Sequence, residues 1–202
     1  MMRPVGEFQR VNDRLVFWQG YDPSSKVDLS AHALLMDEGW IFVDPIPLRD
    51  EALEELRGPD KVAAIVLTSG NHERAAAGFK KNLGAPVFAH SDARPELSIE
   101  ADHWIDDGGR VCGLTAIRLP GFATGEVALH DPLSGGLMMM GDALINLDST
   151  GFTLLPDKYC DDPKTARKSA EKLLQFSFEL MTFAHGLPII KGASRRLLQL
   201  LQ

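Results

Sequence analysis

The chain has 202 residues, of which 45% are hydrophobic and 24% charged, a ratio typical of a globular protein with a sizeable core. Its formal net charge is −7 and no long basic run is present, which argues against nucleic acid as a partner. No apolar run reaches the length of about 18 residues that a membrane helix needs, and Glu7 and Arg10 interrupt the start. We therefore expect one cytoplasmic domain, residues 1–202, that does not bind membranes.

The first half of the chain alternates between strand and helix patterns. Asp37-Glu38-Gly39 separates two apolar runs and predicts a hairpin, whereas the spacing of apolar residues over 50–56 is helical. The β-branched run 62–67 is typical of a strand covered on both faces, and a helix predicted over 72–83 ends at Gly84. The strands predicted in this half cover residues 15–18, 33–36, 40–43, 62–67 and 87–89.

The second half has the pattern of an antiparallel sheet. Gly-rich turns separate strands predicted over 111–119, 126–130 and 137–140, in the last of which Met139 should face away from Met138 and Met140. Helices are predicted over 163–176 and 194–200, with a short strand over 180–184 between them. Two sheets with helices outside is the packing consistent with these elements.

Five short segments carry a family resemblance. They are Ser30-Ala31-His32-Ala33-Leu34-Leu35 with Ile41-Phe42-Val43-Asp44-Pro45, the loop Thr68-Ser69-Gly70-Asn71-His72-Glu73-Arg74, Leu119-Pro120-Gly121-Phe122, Met140-Gly141-Asp142, and Ala184-His185-Gly186. Their order resembles the metallo-β-lactamase superfamily, which includes glyoxalase II-like thioesterases. The resemblance implies a four-layer αββα sandwich of two mixed β-sheets with outer helices.

The same resemblance implies that most metal ligands are missing. The family loop reads Thr-His-x-His-x-Asp-His, and the four ligand positions here hold Ser69, Asn71, Glu73 and Arg74. Phe122 stands at the third histidine of the first metal site. Hydroxyl and amide groups are poor zinc ligands and a phenyl ring is none, so a dinuclear centre is not expected.

The second metal position keeps more of its ligands. Asp142 and His185 match the bridging aspartate and the last histidine, and Asp44 matches an aspartate that supports the ligands from behind. Glu73, Asp142 and His185 form a possible ligand set for a single Zn, Fe or Mn ion. His72 would join only in a shifted backbone register, and a helix starting at residue 72 favours the interpretation that it faces elsewhere.

Arg74 argues against a metal. A guanidinium keeps its proton and offers a carboxylate a bidentate partner, so we hypothesise that Arg74 replaces the charge of the lost metal and pairs with Asp142 or Glu73. His90 and His32 are assigned to the edge of the site, as an acid, base or substrate contact, although bonding to a neighbouring loop is the alternative for each.

Three functions follow from these residues. The leading hypothesis is a hydrolase-like protein without a metal cofactor, whose pocket binds a small molecule; Asn71, His72, Glu73, Arg74, Asp142 and His185 line it. The first alternative is a mononuclear metal-dependent hydrolase of a thioester, lactone or related ester. The second is a non-enzymatic structural or interaction protein, and a homo-oligomer is compatible with each.

Overall fold

Four layers of secondary structure form the protein in a computed structural model that describes residues 2–202. The strands of the larger sheet are β1 (Gln9–Arg10), β2 (Leu15–Asp22), β3 (Val27–Met36), β4 (Gly39–Val43), β5 (Val62–Leu67), β6 (Val87–His90) and β7 (His103–Ile105). The second sheet contains β8 (Arg110–Val111), β9 (Leu114–Arg118), β10 (Val127–Asp131), β11 (Leu137–Met140) and β14 (Leu180–Phe183). A separate hairpin is formed by β12 (Leu144–Leu147) and β13 (Gly151–Leu154), and the helices are α1 (Asp50–Arg57), α2 (Ala76–Leu83), α3 (Pro163–Ala170) and α4 (Ala193–Leu201).

Both large sheets are mixed, as the sequence predicted. The first sheet runs in the order β1 to β7; β1 to β4 pair antiparallel, and β4 to β7 pair parallel, with α1 and α2 in the first two crossovers. The second sheet has the order β14-β11-β10-β9-β8, with only the β11–β14 pair parallel. The hairpin predicted around Gly39 is confirmed by the antiparallel β3–β4 register.

Three apolar layers hold the sandwich together because successive strand residues face opposite sides of a sheet. Phe42 and Ile65 pack outward with Leu56 of α1, whereas Ile41 and Val66 face the space between the sheets. The methionine strand divides as predicted: Met139 joins the layer between the sheets, and Met138 and Met140 pack on the helical side. The αββα sandwich predicted from the sequence is thereby confirmed.

Several predicted bounds were wrong. Helix α2 begins at Ala76, not at residue 72, and the segment before it is a turn in which Arg74 has a φ of 42°. The strand predicted over 111–119 is a hairpin, because Cys112 and Gly113 both take positive φ. The helix predicted over 163–176 ends at Ala170 and continues as a 3₁₀ turn. Strands β1, β7, β12 and β13 were not predicted. Within residues 2–202 no helix has the length and apolar character needed to cross a membrane.

The strand directions bring several loops to one end of the sandwich. Strands β4, β5 and β6 are parallel, so the segments that follow them leave from the same edge. Strands β11 and β14 are likewise parallel and end at Met140 and Phe183. Residues that directly follow these five strands therefore meet at the opening between the two sheets.

Substitution of Gly121 tests how tightly the loop after β9 is packed against α3. An added Cβ would lie 2.3 Å from the Ala166 nitrogen and 2.6 Å from the Asp162 carbonyl oxygen, and φ is 94°. We expect Gly121→Ala to destabilise the fold by about 3 kcal/mol or more in urea unfolding, since both the clash and the backbone are unfavourable. The control is Gly78→Ala in α2, where an added Cβ meets nothing within 4 Å; it should stabilise by up to about 1 kcal/mol. Equal effects would contradict the packing described.

Candidate functional site: a histidine and aspartate cluster between the sheets

His72 lies at the centre of the opening and is buried between two carboxylates. Its Nδ1 atom lies 2.9 Å from Oδ2 of Asp44, which follows β4, and its Nε2 atom lies 3.1 Å from Oδ1 of Asp142, which follows β11. The prediction that His72 faces elsewhere was wrong. That prediction assumed a helix from residue 72, but the positive φ of Arg74 keeps residues 72–75 out of α2 and turns His72 into the site.

His185 completes the cluster from the other sheet. It follows β14, and its Nε2 atom lies 3.1 Å from the same Oδ1 atom of Asp142. Its Nδ1 atom lies 3.2 Å from the Asp28 carbonyl oxygen, which can only accept a hydrogen bond. Nδ1 of His185 therefore carries a proton, and Nε2 faces Asp142.

Asp142 accepts hydrogen bonds on both of its oxygens. Oδ1 faces the two histidines, and the Asn71 amide donates to Oδ2 over 3.1 Å. The hydroxyl of Ser69 in turn contacts Oδ1 of Asn71. Asn71 and Ser69 thus stand where the family has histidine ligands, but here they orient the Asp142 carboxylate.

The electrostatics of the cluster favour a charged His72 when no metal is bound. Burial opposes a charge on this imidazole, but the carboxylates of Asp142 and Asp44 outweigh it and raise the pKa of His72 to about 9. Burial would raise the pKa of Asp142, yet the neighbouring His72 and His185 hold it well below its ordinary value. Asp44 also has a lowered pKa despite its burial, through the charge and hydrogen bond of His72.

Arg74 does not make the pairing that we hypothesised. Its Nη1 donates to the carbonyl oxygens of Ser30 at 2.8 Å and Asp44 at 3.2 Å, and its Nη2 donates to that of Ala184 at 3.4 Å. The side chain is partly buried beside the cluster, and it contacts neither the Asp142 nor the Glu73 carboxylate. The sequence hypothesis overlooked that backbone carbonyls at the strand ends also need donors.

Glu73 is placed outside the cluster. Its carboxylate accepts from the Ser98 backbone nitrogen at 2.7 Å, from the Ser98 hydroxyl at 2.6 Å and from the Ile99 nitrogen at 3.2 Å. It therefore anchors a neighbouring loop, and its predicted role as a ligand is corrected. Phe122 is 1% exposed and packs in the apolar layer beneath α3, so no donor replaces the third histidine.

Two further histidines were assigned to the edge of the site. His90 ends β6, and its Nδ1 accepts from the Asp92 nitrogen at 3.1 Å, which is the loop-bonding alternative considered for it. His32 stacks on Phe17 at a centroid distance of 6.4 Å, and burial lowers its pKa to about 3. Neither side chain contributes an atom to the cluster of His72, Asp142 and His185.

Sequence reasoning missed two buried residues beside the cluster. The Thr68 hydroxyl lies 2.9 Å from Nδ1 of His72 and also donates to Oδ2 of Asp44. Glu126 accepts from the Ala143 nitrogen at 2.9 Å, its other oxygen has no partner among residues 2–202, and burial, together with Asp142, raises its pKa well above the ordinary value. The signal for Glu126 was an acid at the start of an apolar strand after Gly125.

The cluster has the donor atoms that one metal ion needs. Donor atoms of His72, Asp142 and His185 lie within 4.8 Å of one another. Two ligand atoms at about 2.0–2.1 Å from a tetrahedral ion are about 3.3–3.4 Å apart, close to the 3.1 Å between Oδ1 and each Nε2. Asp44 contacts Nδ1 of His72, and the Asp28 carbonyl oxygen contacts Nδ1 of His185. Such contacts on the far ring nitrogen orient histidine ligands. At the three histidine positions of the family's first metal site stand Ser69, Asn71 and Phe122, none of which offers an imidazole.

A cavity of about 450 Å³ opens onto the cluster. His72, Asp142, His185, Asn71 and Arg74 form its polar floor. The remaining lining combines apolar side chains with two polar residues of the β2–β3 hairpin, namely Met2, Leu29, Ile46 and Pro47 with Asp22 and Ser25. The site is therefore accessible to a small molecule.

Comparisons with known proteins agree with this geometry. A family model described as the metallo-β-lactamase superfamily matches residues 9–202. A search of curated proteins found no match.

Solved structures similar in fold share little sequence with this chain. The crystal structure of TTHA1623 in a di-iron-bound form has a TM-score of 0.64 and 23% identity, covering 80% of this chain and 89% of that one. The metallo-β-lactamase family protein TTHA1429 from Thermus thermophilus has a TM-score of 0.69 and 20% identity, covering 95% and 79%. The DIM-1 metallo-β-lactamase has a TM-score of 0.77 and 14% identity, covering 100% and 98%.

The charged imidazole of His72 makes stability depend on pH. Because its pKa is about 9 in the folded protein and about 6.5 when unfolded, its stabilisation is complete below about pH 6.5 and is lost as pH rises through 9. In chelator-treated protein, the difference in unfolding free energy between wild type and His72→Gln should shrink by about 3 kcal/mol across this range. Urea unfolding at several pH values measures it. A constant difference would contradict a charged His72.

Proposed function

Because this chain belongs to the metallo-β-lactamase superfamily and its cavity gathers His72, Asp142 and His185, we propose that it is a mononuclear metal-dependent hydrolase. The substrate class is a small ester, thioester or lactone. The observation that carries the proposal is the rotation of His72 into the site, which supplies the third ligand that Glu73 does not provide.

The bound ion would be zinc, iron or manganese. An ion with three protein ligands and one open position polarises a carbonyl group and lowers the pKa of a water molecule. Imidazole and carboxylate together suit each of these metals. TTHA1623, a structure of similar fold, is described in a di-iron-bound form, which supports keeping iron among the candidates.

The protein residues orient the ligands and the substrate. Asp44 holds Nδ1 of His72 and the Asp28 carbonyl holds Nδ1 of His185, so both Nε2 atoms point at one place. Asn71 holds Oδ2 of Asp142 and thereby turns Oδ1 toward the histidines. A substrate in the cavity would place its carbonyl at this cluster and its carbon chain against the apolar wall, where it excludes water.

A second candidate is a metal-free binding protein, the leading hypothesis from the sequence. It is favoured by the complete network around His72, in which one imidazolium bridges two carboxylates without an ion. Such a network leaves no buried charge uncompensated and would let the cavity bind a small molecule without chemistry. The open cavity supports both candidates over a purely structural role.

Metal content after purification without chelator separates the two candidates. We expect about one equivalent of zinc, iron or manganese by elemental analysis, together with hydrolysis of at least one member of a panel of small esters, thioesters and lactones. Substituting a residue that only supports a ligand typically lowers metal affinity or activity by about 10- to 100-fold, and substituting a ligand should have a larger effect. We therefore expect Asp142→Asn and His185→Ala to lower both metal occupancy and activity by at least about a hundredfold.

Glu73→Gln is the matched control. It alters the carboxylate that the sequence placed among the ligands and the structure places on the Ser98 loop, so metal content and activity should stay within about twofold of wild type. A metal-free wild-type protein would refute the proposal. Loss of metal in Glu73→Gln with retention in Asp142→Asn would refute the ligand set.

A further inference from the structure

Arg74 ties together the strand ends that carry the cluster. Its guanidinium donates to carbonyls of Ser30 in β3 and of Asp44 after β4, both in the first sheet, and of Ala184 after β14 in the second. Ala184 immediately precedes His185, and Asp44 is the partner of His72. The guanidinium therefore lies beside the cluster and touches the backbone of both sheets.

The partners of Arg74 are neutral, and this determines its electrostatic effect. A guanidinium in contact with a carboxylate forms a pair with almost no net charge, whereas a guanidinium bonded only to carbonyls keeps a full positive charge. Arg74 cannot lose its proton to relieve this charge at physiological pH. Three of its N–H donors are directed at backbone carbonyls, so these hydrogen bonds do not compensate its charge.

The charges around the cluster show how Arg74 acts. Asp44 and Asp142 supply two negative charges, and Arg74 adds one positive charge beside them while its hydrogen bonds go to carbonyl oxygens. Arg74 lines the same cavity as His72, Asp142 and His185. A divalent cation held by those three residues would be repelled by the positive charge of Arg74.

We propose that Arg74 lowers the affinity of the site for a metal ion, because its fixed positive charge repels the ion. This charge takes the place of part of the charge that a second ion would bring. This inference rests on the proposed mononuclear site. It differs from a structural role of the side chain, which would make the loss of Arg74 weaken metal binding. Here the loss of its charge strengthens metal binding.

Two substitutions separate the charge from the hydrogen bonds. Arg74→Gln removes the charge and keeps an amide donor, whereas Arg74→Lys keeps the charge and loses the planar fork that reaches three carbonyls. Arg118→Gln is the matched control, because that guanidinium pairs with Asp92 at 2.6 Å, away from the cluster. The readout is the zinc dissociation constant from competition with a chromophoric chelator, and urea unfolding reports whether each variant is folded.

The proposal predicts that Arg74→Gln binds zinc at least tenfold more tightly than wild type, with Arg74→Lys and Arg118→Gln within about threefold of wild type. Equal or weaker binding by Arg74→Gln would overturn it. If Arg74→Gln does not fold, Arg74→Lys decides: near wild-type affinity supports a charge effect, and a loss above tenfold overturns it. A wild-type protein that binds no zinc, iron or manganese would instead refute the proposed function.

Discussion

The buried contact of His72 with Asp44 and Asp142 is the interaction on which the site depends. Asp44 and His72 belong to loops of the first sheet, and Asp142 follows a strand of the second, so one imidazole links both sheets at their opening. Each carboxylate would be costly to bury alone, and the imidazole is the group that both of them contact. His185 and Asn71 then have a fixed Asp142 carboxylate against which to pack.

The charges of neighbouring groups explain the pKa shifts of the buried carboxylates around this contact. His72 and Arg74 lower the pKa of Asp44, and His72 and His185 lower that of Asp142, whereas burial raises the pKa of Glu126, which has no cation in contact among residues 2–202. A metal ion or a proton on Nε2 of His72 would satisfy the Asp142 carboxylate, and Asp44 faces Nδ1 of His72 in either case. The cluster is therefore compatible with both states, and the occupancy of the site depends on how strongly a cation competes with that proton.

Much of the fold was predictable because it depends on local patterns. The β-branched run of β5 and the hairpin at Gly39 follow from alternation and turn chemistry, and each has the predicted form. The sequence resemblance to the metallo-β-lactamase superfamily agrees with the family match over residues 9–202. The side-chain directions of His72 and Glu73 were not predictable, because residues 72–75 form a turn before α2, in which Arg74 has a positive φ, and so do not follow helical spacing.

The sequence alone determined the four-layer sandwich, the order of its loops and which residue types stand at the family's ligand positions, because periodicity and residue identity are properties of the chain itself. Only the tertiary structure decided that His72 joins Asp142 and His185, that Glu73 anchors the Ser98 loop, and that Arg74 binds carbonyls. These outcomes depend on which buried donors and acceptors meet at the junction of two sheets, and that competition cannot be read from residues considered one loop at a time.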